Sequence, residues 1–489
     1  MNKRIILSVF LFALIFAFVF TACSTDGGDK ENTRDTQVEP DKNPGDTTSD
    51  VSKDDLPDMD FGGYAFRVLE WPDAGGEHTN IVPESQNGDI LNDSIYKANS
   101  RVEARLNIGF KQVVDGTYAD APDLVKKSVQ TGDDAYDLAL VIDRDAMNLA
   151  MESKYFYSVN ELPNINLEKP YWDKYLNDAL SIDRTLYFAY GANMLSIMDY
   201  MTFLVYNKKI MQNEGITENI YDLVRRGKWT MEKMYELGRT ATRDLDGDGK
   251  MTKTDQYGMV FRHDYYYPSF WYANKIPLVA KDADDLPYFN VPGNSRLFDI
   301  FEKQYEYATS GIEFETLDFE AIDSMFADGR ALFAGTSMYR VQSLRGMDTD
   351  YGIVPYPTYD EQPAGTPYIA RIISGIPLVV PATNQDTAMA SAVMEALACE
   401  YYFNVIPSYY GLVVQEKATR DDESREMLDM FIANKFLDLG ETVWMMYGRV
   451  PYSQLLWKKS NEFASKTESL EETFKDVIEQ SINAFREVK

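Results

Sequence analysis

The chain has 489 residues, a formal net charge of −30, two cysteines and two histidines. So acidic a surface repels nucleic acid and polyanions as bulk partners and favours solubility. Two histidines leave little material for a histidine-based zinc site or a Ser-His-Asp triad. The chain also carries no His-Glu-x-x-His, Gly-x-Ser-x-Gly or phosphate-cradling glycine loop.

The N-terminus reads as an export signal: Lys3 and Arg4, then sixteen apolar-dominated residues from Ile5 to Phe20, then Thr21, Ala22 and Cys23. Sixteen residues fall short of the ~20 that a bilayer span needs, which makes a transmembrane anchor the second choice. Phe20-Thr21-Ala22-Cys23 resembles the bacterial lipoprotein cleavage box, and the resemblance implies that Cys23 is lipidated and becomes the mature N-terminus. The plainer alternative is secretion with cleavage near Ala22. With Cys23 acylated, Cys399 has no disulfide partner, and its apolar surroundings from Met394 onward predict a buried small hydrophobe.

Residues 24–55 hold ten acidic and four basic residues and no aromatics. Such a segment buries too little apolar surface to offset chain entropy, so a disordered, self-repelling tether is expected. From Leu56 the aromatic content rises, and the rest of the chain is long enough to split into two lobes. Strands are predicted from Tyr64 to Leu69, from Asn107 to Val114 and from Tyr136 to Asp143. Helices are predicted from Ile90 to Leu106 and from Ala121 to Thr131. This alternation predicts a parallel α/β sheet. Ligands of such sheets bind at the carboxyl ends of the strands, which is where Asp143, Arg144 and Asp145 fall.

Five segments, in order along the chain, resemble the extracellular solute-binding proteins of ABC importers, the branch that includes maltose-binding protein. They are Ala139 to Asp145; Leu186 to Asn193 with Leu204 to Lys208; Trp229 to Met234, with Thr230 placed as helix cap; Met325 to Gly335; and Tyr351 to Pro357 with Ser374 to Pro381 and a helix from Asp386 to Glu400. The resemblance implies an α/β fold of the periplasmic-binding-protein type II class, with two discontinuous lobes joined by a hinge. One lobe would take residues 56–186 and 355–410, the other residues 187–354 and 411–489. It further implies a monomer that closes on a ligand in the interlobe cleft and presents it to a permease.

The residue types suit a sugar, whose C–H faces stack on aromatic rings while its hydroxyls meet planar polar groups. By the resemblance, Asp143 and Arg144 match the family's acidic-basic pair. Asn193 follows the first crossing, Tyr265, Tyr267 and Trp271 fall where the second lobe supplies rings, and Tyr339 and Arg340 follow a later strand. Trp71 and Trp444 lie in loop-like regions and are candidates for the cleft wall. With 33 Tyr and 26 Phe, most aromatic residues must nevertheless be core.

The run from Asp244 to Asp255 fits a calcium loop, with oxygen ligands at Asp244, Asp246 and Asp248, glycine at the sixth position and the carbonyl of Lys250 next. Thr252 would act through water and Asp255 would close the sphere. The strand-like sequence after Gln256 argues against a paired EF-hand, and the absence of a second copy argues against a dockerin. A structural calcium ion is expected, and no organic cofactor. Two other functions stay open: a secreted glycosidase, because two carboxylates suffice for that chemistry, and a lipoprotein that presents its ligand to a sensor.

Overall fold

The protein is described here by a computed structural model covering residues 54–71, 81–83, 85–411 and 419–488. The export signal, Cys23, most of the acidic tether and His78 lie outside the described residues. The last two residues assigned to the tether are anchored. Arg105 forks onto the Asp54 carboxylate, and the Lys169 ammonium lies 2.6 Å from Asp55. Asp54 and Asp55 therefore pack with the chain that follows Leu56, because two acidic side chains find basic partners that sequence spacing does not reveal.

Two mixed sheets carry the fold. In the first, β1 (Tyr64–Glu70) lies between β2 (Ile108–Val114) and β3 (Leu138–Leu140), all parallel. β1 and β2 pair in continuous register from Tyr64 opposite Ile108 to Glu70 opposite Val114. The helices α1 (Ile90–Leu106) and α2 (Ala121–Thr131) have the limits expected from sequence. In α1, Leu91, Ile95, Ala98, Val102 and Leu106 recur at helical spacing and are all buried. Its start is fixed by Asp89, whose carboxylate accepts the backbone amides of Leu91 and Asn92 at 3.0 Å, and its end by Asn107 in the left-handed conformation. The third helix, α3 (Asp143–Glu152), starts three residues after β3.

The second sheet is built around β4 (Met201–Asn207), buried along its whole length. Such a strand lacks polar alternation because both of its faces are covered. The strands β5 (Tyr257–Phe261), β8 (Glu313–Glu315) and β9 (Ala331–Ser337) are mutually parallel, and β9 runs antiparallel to β4. A small ribbon, β6 (Val279–Lys281) with β7 (Pro287–Phe289), stands apart. On the other side of β4 come β10 (Tyr351–Val354) and β11 (Ala370–Ile372), and β11 pairs with β13 (Lys435–Phe436). Finally, β12 (Leu378–Val379) returns to the first sheet, antiparallel to β3.

These pairings correct one boundary. Residues from 355 were expected in the first lobe, yet β11 still belongs to the second sheet, and the return falls between Ile372 and Leu378. The segment 373–377 is thus a crossing between sheets. The helix expected from Asp386 is observed as Thr387–Glu400, capped by the Asp386 carboxylate, and Cys399 is buried within it. The helix Met231–Ala241 likewise starts at the Thr230 cap, whose hydroxyl accepts the amide of Lys233 at 3.2 Å. Among the described residues no helix is long and apolar enough to cross a membrane.

Candidate functional site

A cavity of about 500 Å³ opens between the two sheets, where their strand ends converge. Sites for small solutes occupy roughly this volume, about 300–1,000 Å³. From the first lobe come Trp71, next after β1, Tyr118 in the loop after β2, and Ile142 to Arg144 at the start of α3. All three positions follow the carboxyl ends of parallel strands, as the rule for open α/β sheets requires. From the second lobe come Arg262 and Tyr265, directly after β5, and Glu441, Thr442, Met445 and Arg449, after β13. Tyr200, before β4, and Ser374 with its neighbours form the remaining wall where the chain crosses.

Asp143 acts as a hub. Its carboxylate accepts the Tyr190 hydroxyl at 2.5 Å, the Ser374 hydroxyl and Gly375 amide at 2.8 Å, and the Arg144 amide at 2.7 Å. Burial pushes this carboxyl up, and those four donors pull against the shift. Tyr190 lies on the first crossing and Ser374 and Gly375 on the second, so Asp143 fixes both to the start of α3. Gly375 is required there, since a Cβ would stand 2.4 Å from the Tyr190 ring.

Arg144 is half-exposed. Its guanidinium forks onto Asp145, with Nε 3.0 Å and Nη2 3.1 Å from the two carboxylate oxygens, and its Nη1 points at the Met445 sulfur at 3.8 Å. Arg262 forks onto Asp264 in the same way, at 2.8 and 3.1 Å, and its guanidinium lies 4.4 Å from the Phe319 ring centre. The Arg262 guanidinium holds the Asp264 carboxyl below the usual range, against the opposing pull of burial. Tyr265 packs edge-on to Phe319.

Under the second-lobe wall lies a buried ionic cluster. Glu441 accepts from Arg371, which is on β11, and its carboxylate lies 2.8 Å from the Arg449 Nε. Arg371 and Glu441 side chains are 1% and 0% exposed. Arg371 also donates to the Tyr265 carbonyl and Arg449 to the Asp264 carbonyl at 2.7 Å. A buried pair of this kind holds only when its remaining donors are satisfied, as those of Arg371 are by the Tyr265 carbonyl and the Ser269 hydroxyl. It locks the crossing strand β11, the segment after β13 and the Tyr265 turn into one rigid wall.

Of the residues singled out from sequence, the structure brings Trp71, Asp143, Arg144 and Tyr265 together around this cavity. The other six are placed elsewhere. Tyr267 is buried and donates to Glu313 at 2.8 Å, and Trp271 is buried, donating to Gln304 and packing edge-on to Tyr452. Both sit on the inner face of the helix His263–Tyr272, where helical spacing turns them from Tyr265 into the core. Trp444 is buried against Phe474, and Asn193 is buried beside Gly191 and Trp172. Arg340 pairs with Asp323 at 2.5 Å, and the Tyr339 amide donates to the Asp199 carbonyl, both outside the cavity lining.

Sequence reasoning passed over Tyr118, Tyr200, Arg262, Met445 and Arg449. Tyr118 and Arg262 were within reach of the strand-end rule, since each follows a predicted strand. No local signal marks Met445 or Arg449.

In the loop 244–255 the carboxylates of Asp244, Asp246 and Asp255 converge, with one oxygen from each within 4.8 Å of the others. Asp248 stands outside this group and accepts the Lys250 amide at 2.7 Å. The backbone amide of Asp248 favours an ionised Asp246, but desolvation by its neighbours and the carboxyl groups of Asp248, Asp255 and Asp244 outweigh it and leave the carboxyl of the exposed Asp246 raised.

Residues 107–398 match the family described as bacterial extracellular solute-binding protein. The chain belongs to that family. No curated protein sequence matches it. Among solved structures it is similar to the sugar-binding protein MalE of Xanthomonas citri, at 12% identity and a TM-score of 0.60, covering 86% of this chain and 99% of that one. It is also similar to an ABC substrate-binding protein of Listeria monocytogenes in complex with cycloalternan, at 10% identity and TM-score 0.54, covering 84% and 99%. A third is UgpB of Mycobacterium tuberculosis in complex with glycerophosphocholine, at 14% identity and TM-score 0.55, covering 79% and 95%. At these identities the likeness is one of fold: two α/β lobes of the type II periplasmic binding class. The cavity lies in the interlobe cleft of this extracellular binding protein.

Proposed function

We propose that this protein captures a saccharide in the interlobe cavity and delivers it to an ABC permease as a monomer, held to the membrane by lipid on Cys23. One observation carries the reading: rings from both lobes, Trp71 and Tyr118 from one and Tyr265 from the other, face a single cavity beside guanidinium groups. That mixture suits a ring with apolar faces and polar edges. The complex with cycloalternan formed by the Listeria monocytogenes protein of this fold points the same way. A thermal-shift panel of mono- and oligosaccharides, with glycerophosphocholine as the non-sugar arm, tests it. A ligand at one hundred times its Kd stabilises by ~2.7 kcal/mol, a readily measured rise. Stabilisation by glycerophosphocholine alone would remove the saccharide, and release of new reducing ends from a glycan would replace binding by hydrolysis.

The membrane attachment is tested separately, by labelling with a radioactive fatty acid and Cys23→Ser as control; absence of label overturns it. We also propose a structural calcium ion in the loop 244–255, supported by the three converging carboxylates. A melting curve indifferent to chelator would leave that loop a plain turn.

A further inference from the structure

The cavity wall is rich in donors and poor in acceptors. Of its two buried carboxylates, Asp143 already accepts four hydrogen bonds, and Glu441 is occupied by Arg371 and Arg449. The Ser374 hydroxyl is turned inward to Asp143. A neutral sugar hydroxyl is both donor and acceptor, and with the carboxylates engaged the remaining side-chain acceptors are neutral hydroxyls, those of Tyr118, Tyr200, Tyr265 and Thr442.

The donors are in the opposite condition. Arg144 Nη1, from the first lobe, and Arg449 Nη2, from the second, both end on the Met445 sulfur, each at 3.8 Å. A thioether is a weak acceptor, and two guanidiniums converging on one leave strong donors poorly used. Arg262 adds a third guanidinium to the same wall. Each of the three is held rigid by an acidic partner, so its direction is set before any ligand arrives. The two nitrogens that share the sulfur are no further apart than twice 3.8 Å. A carboxylate accepting at about 2.8 Å on each oxygen would bridge two donors this close by taking the place of the flexible Met445 side chain.

We propose that the ligand is an acidic saccharide whose anionic group lies between Arg144 and Arg449 and bridges the two lobes. This rests on the saccharide reading and narrows it. The formal charge of −30 is no obstacle to a single buried anion. Surface charges beyond a Debye length, about 8 Å at physiological salt, are largely screened, whereas the two guanidiniums act in direct contact. The same charge still opposes a long polyanion laid over the surface. The chemistry is shared by a uronate carboxylate and by a sugar phosphate, and we commit to the carboxylate.

The test is calorimetric titration of the full-length protein with three sets of probes. The first is short hexuronate oligosaccharides and their methyl esters, the second neutral maltotriose and cellotriose, and the third hexose phosphates. A uronate oligosaccharide is expected to bind at least ~10-fold more tightly than its own methyl ester, because the ester keeps shape and loses the charge-assisted bonds. Arg144→Gln is expected to weaken the uronate at least ~10-fold and its methyl ester much less, so that the preference for the acid is lost. The ester comparison needs no variant, so misfolding does not obscure it. Equal affinity for acid and ester, or tight binding of a neutral sugar alone, overturns the acidic ligand and leaves the saccharide reading standing. Preference for the hexose phosphate overturns the carboxylate, and binding of none of the three sets overturns both readings.

Discussion

The two walls of the cavity are built in different ways. Beside the buried Asp143 hub, the first-lobe wall consists of single residues at strand ends: Trp71 after β1, Tyr118 after β2 and Arg144 after β3. Arg144 keeps 38% of its side chain exposed and pairs only with its neighbour Asp145. The second-lobe wall is a buried network, in which Arg371, Glu441 and Arg449 tie three distant segments together. The contrast teaches that Arg144 on the first wall can be altered at little cost to the fold, while the second wall holds the fold and presents donors as a by-product. Substitutions on the first should change affinity more than stability, and on the second both together.

The largest effect is expected at Glu441→Gln. It leaves the Arg371 guanidinium buried without its counter-charge, which typically costs about 3–5 kcal/mol. Urea unfolding should report a loss of that order together with a loss of ligand affinity. A variant that keeps wild-type stability would reduce the network to packing. Trp271→Ala comes next. It removes a buried indole outside the cavity, a change that costs about 3–5 kcal/mol in well-packed cores and less where neighbours collapse. Affinity measured well below the melting temperature should stay as in the wild type. A selective loss of affinity would return Trp271 to the site.

A smaller and pH-dependent effect is expected at Glu70, the residue before Trp71. Burial pushes its carboxyl up to about 7, against the pull of the Ile81 amide donating at 2.9 Å. In the unfolded chain the same group titrates near 4.3. Between about 4 and 7 the folded state therefore keeps a proton that the unfolded state releases, and stability falls as pH rises through that window. Glu70→Gln should match the wild type near pH 4 and exceed it by about 1–3 kcal/mol at pH 8. A variant less stable than the wild type at pH 8 would show that the ionised carboxylate is well accommodated.

Arg144→Ala should change stability by no more than about 0.5 kcal/mol, as is usual for exposed pairs, while weakening ligand binding. A clear fall in melting temperature would erase the difference between the walls. Chelator acts without any substitution: a drop of about 1–3 °C in the melting temperature of the wild type is expected, since the loop 244–255 is largely exposed and closes few residues.

The same contrast explains what was legible in the sequence. Elements whose signals are local were readable to within a residue: the limits of α1 and α2, the Thr230 cap and the helix start at Asp386. Part of the first-lobe wall was readable for the same reason: the end of β3 is a local feature, and a general rule puts Asp143 and Arg144 in the site, whereas Tyr118 was passed over although the same rule reaches it. The helix His263–Tyr272 shows where legibility stops. It is aromatic on most of its surface, so sequence gives no way to decide that Tyr265 faces the cavity while Tyr267 and Trp271 face the core. The turn-rich segment from Asp438 to Arg449 has no repeating pattern. Its role comes from Arg371, some seventy residues earlier, and pairings that distant leave no periodic trace. The boundary near residue 355 was misplaced for a related reason. The three-residue strand β11 is too short to announce which sheet it joins.

The central claim is that a solute lies between the two walls. It is tested most directly by a co-crystal structure with the saccharide that raises the melting temperature most. Density is expected between the Trp71 and Tyr265 rings, within hydrogen-bonding distance of the Arg144 and Arg449 guanidiniums. Ligand bound elsewhere on the molecule, with the space between these four residues filled only by water, would contradict the account.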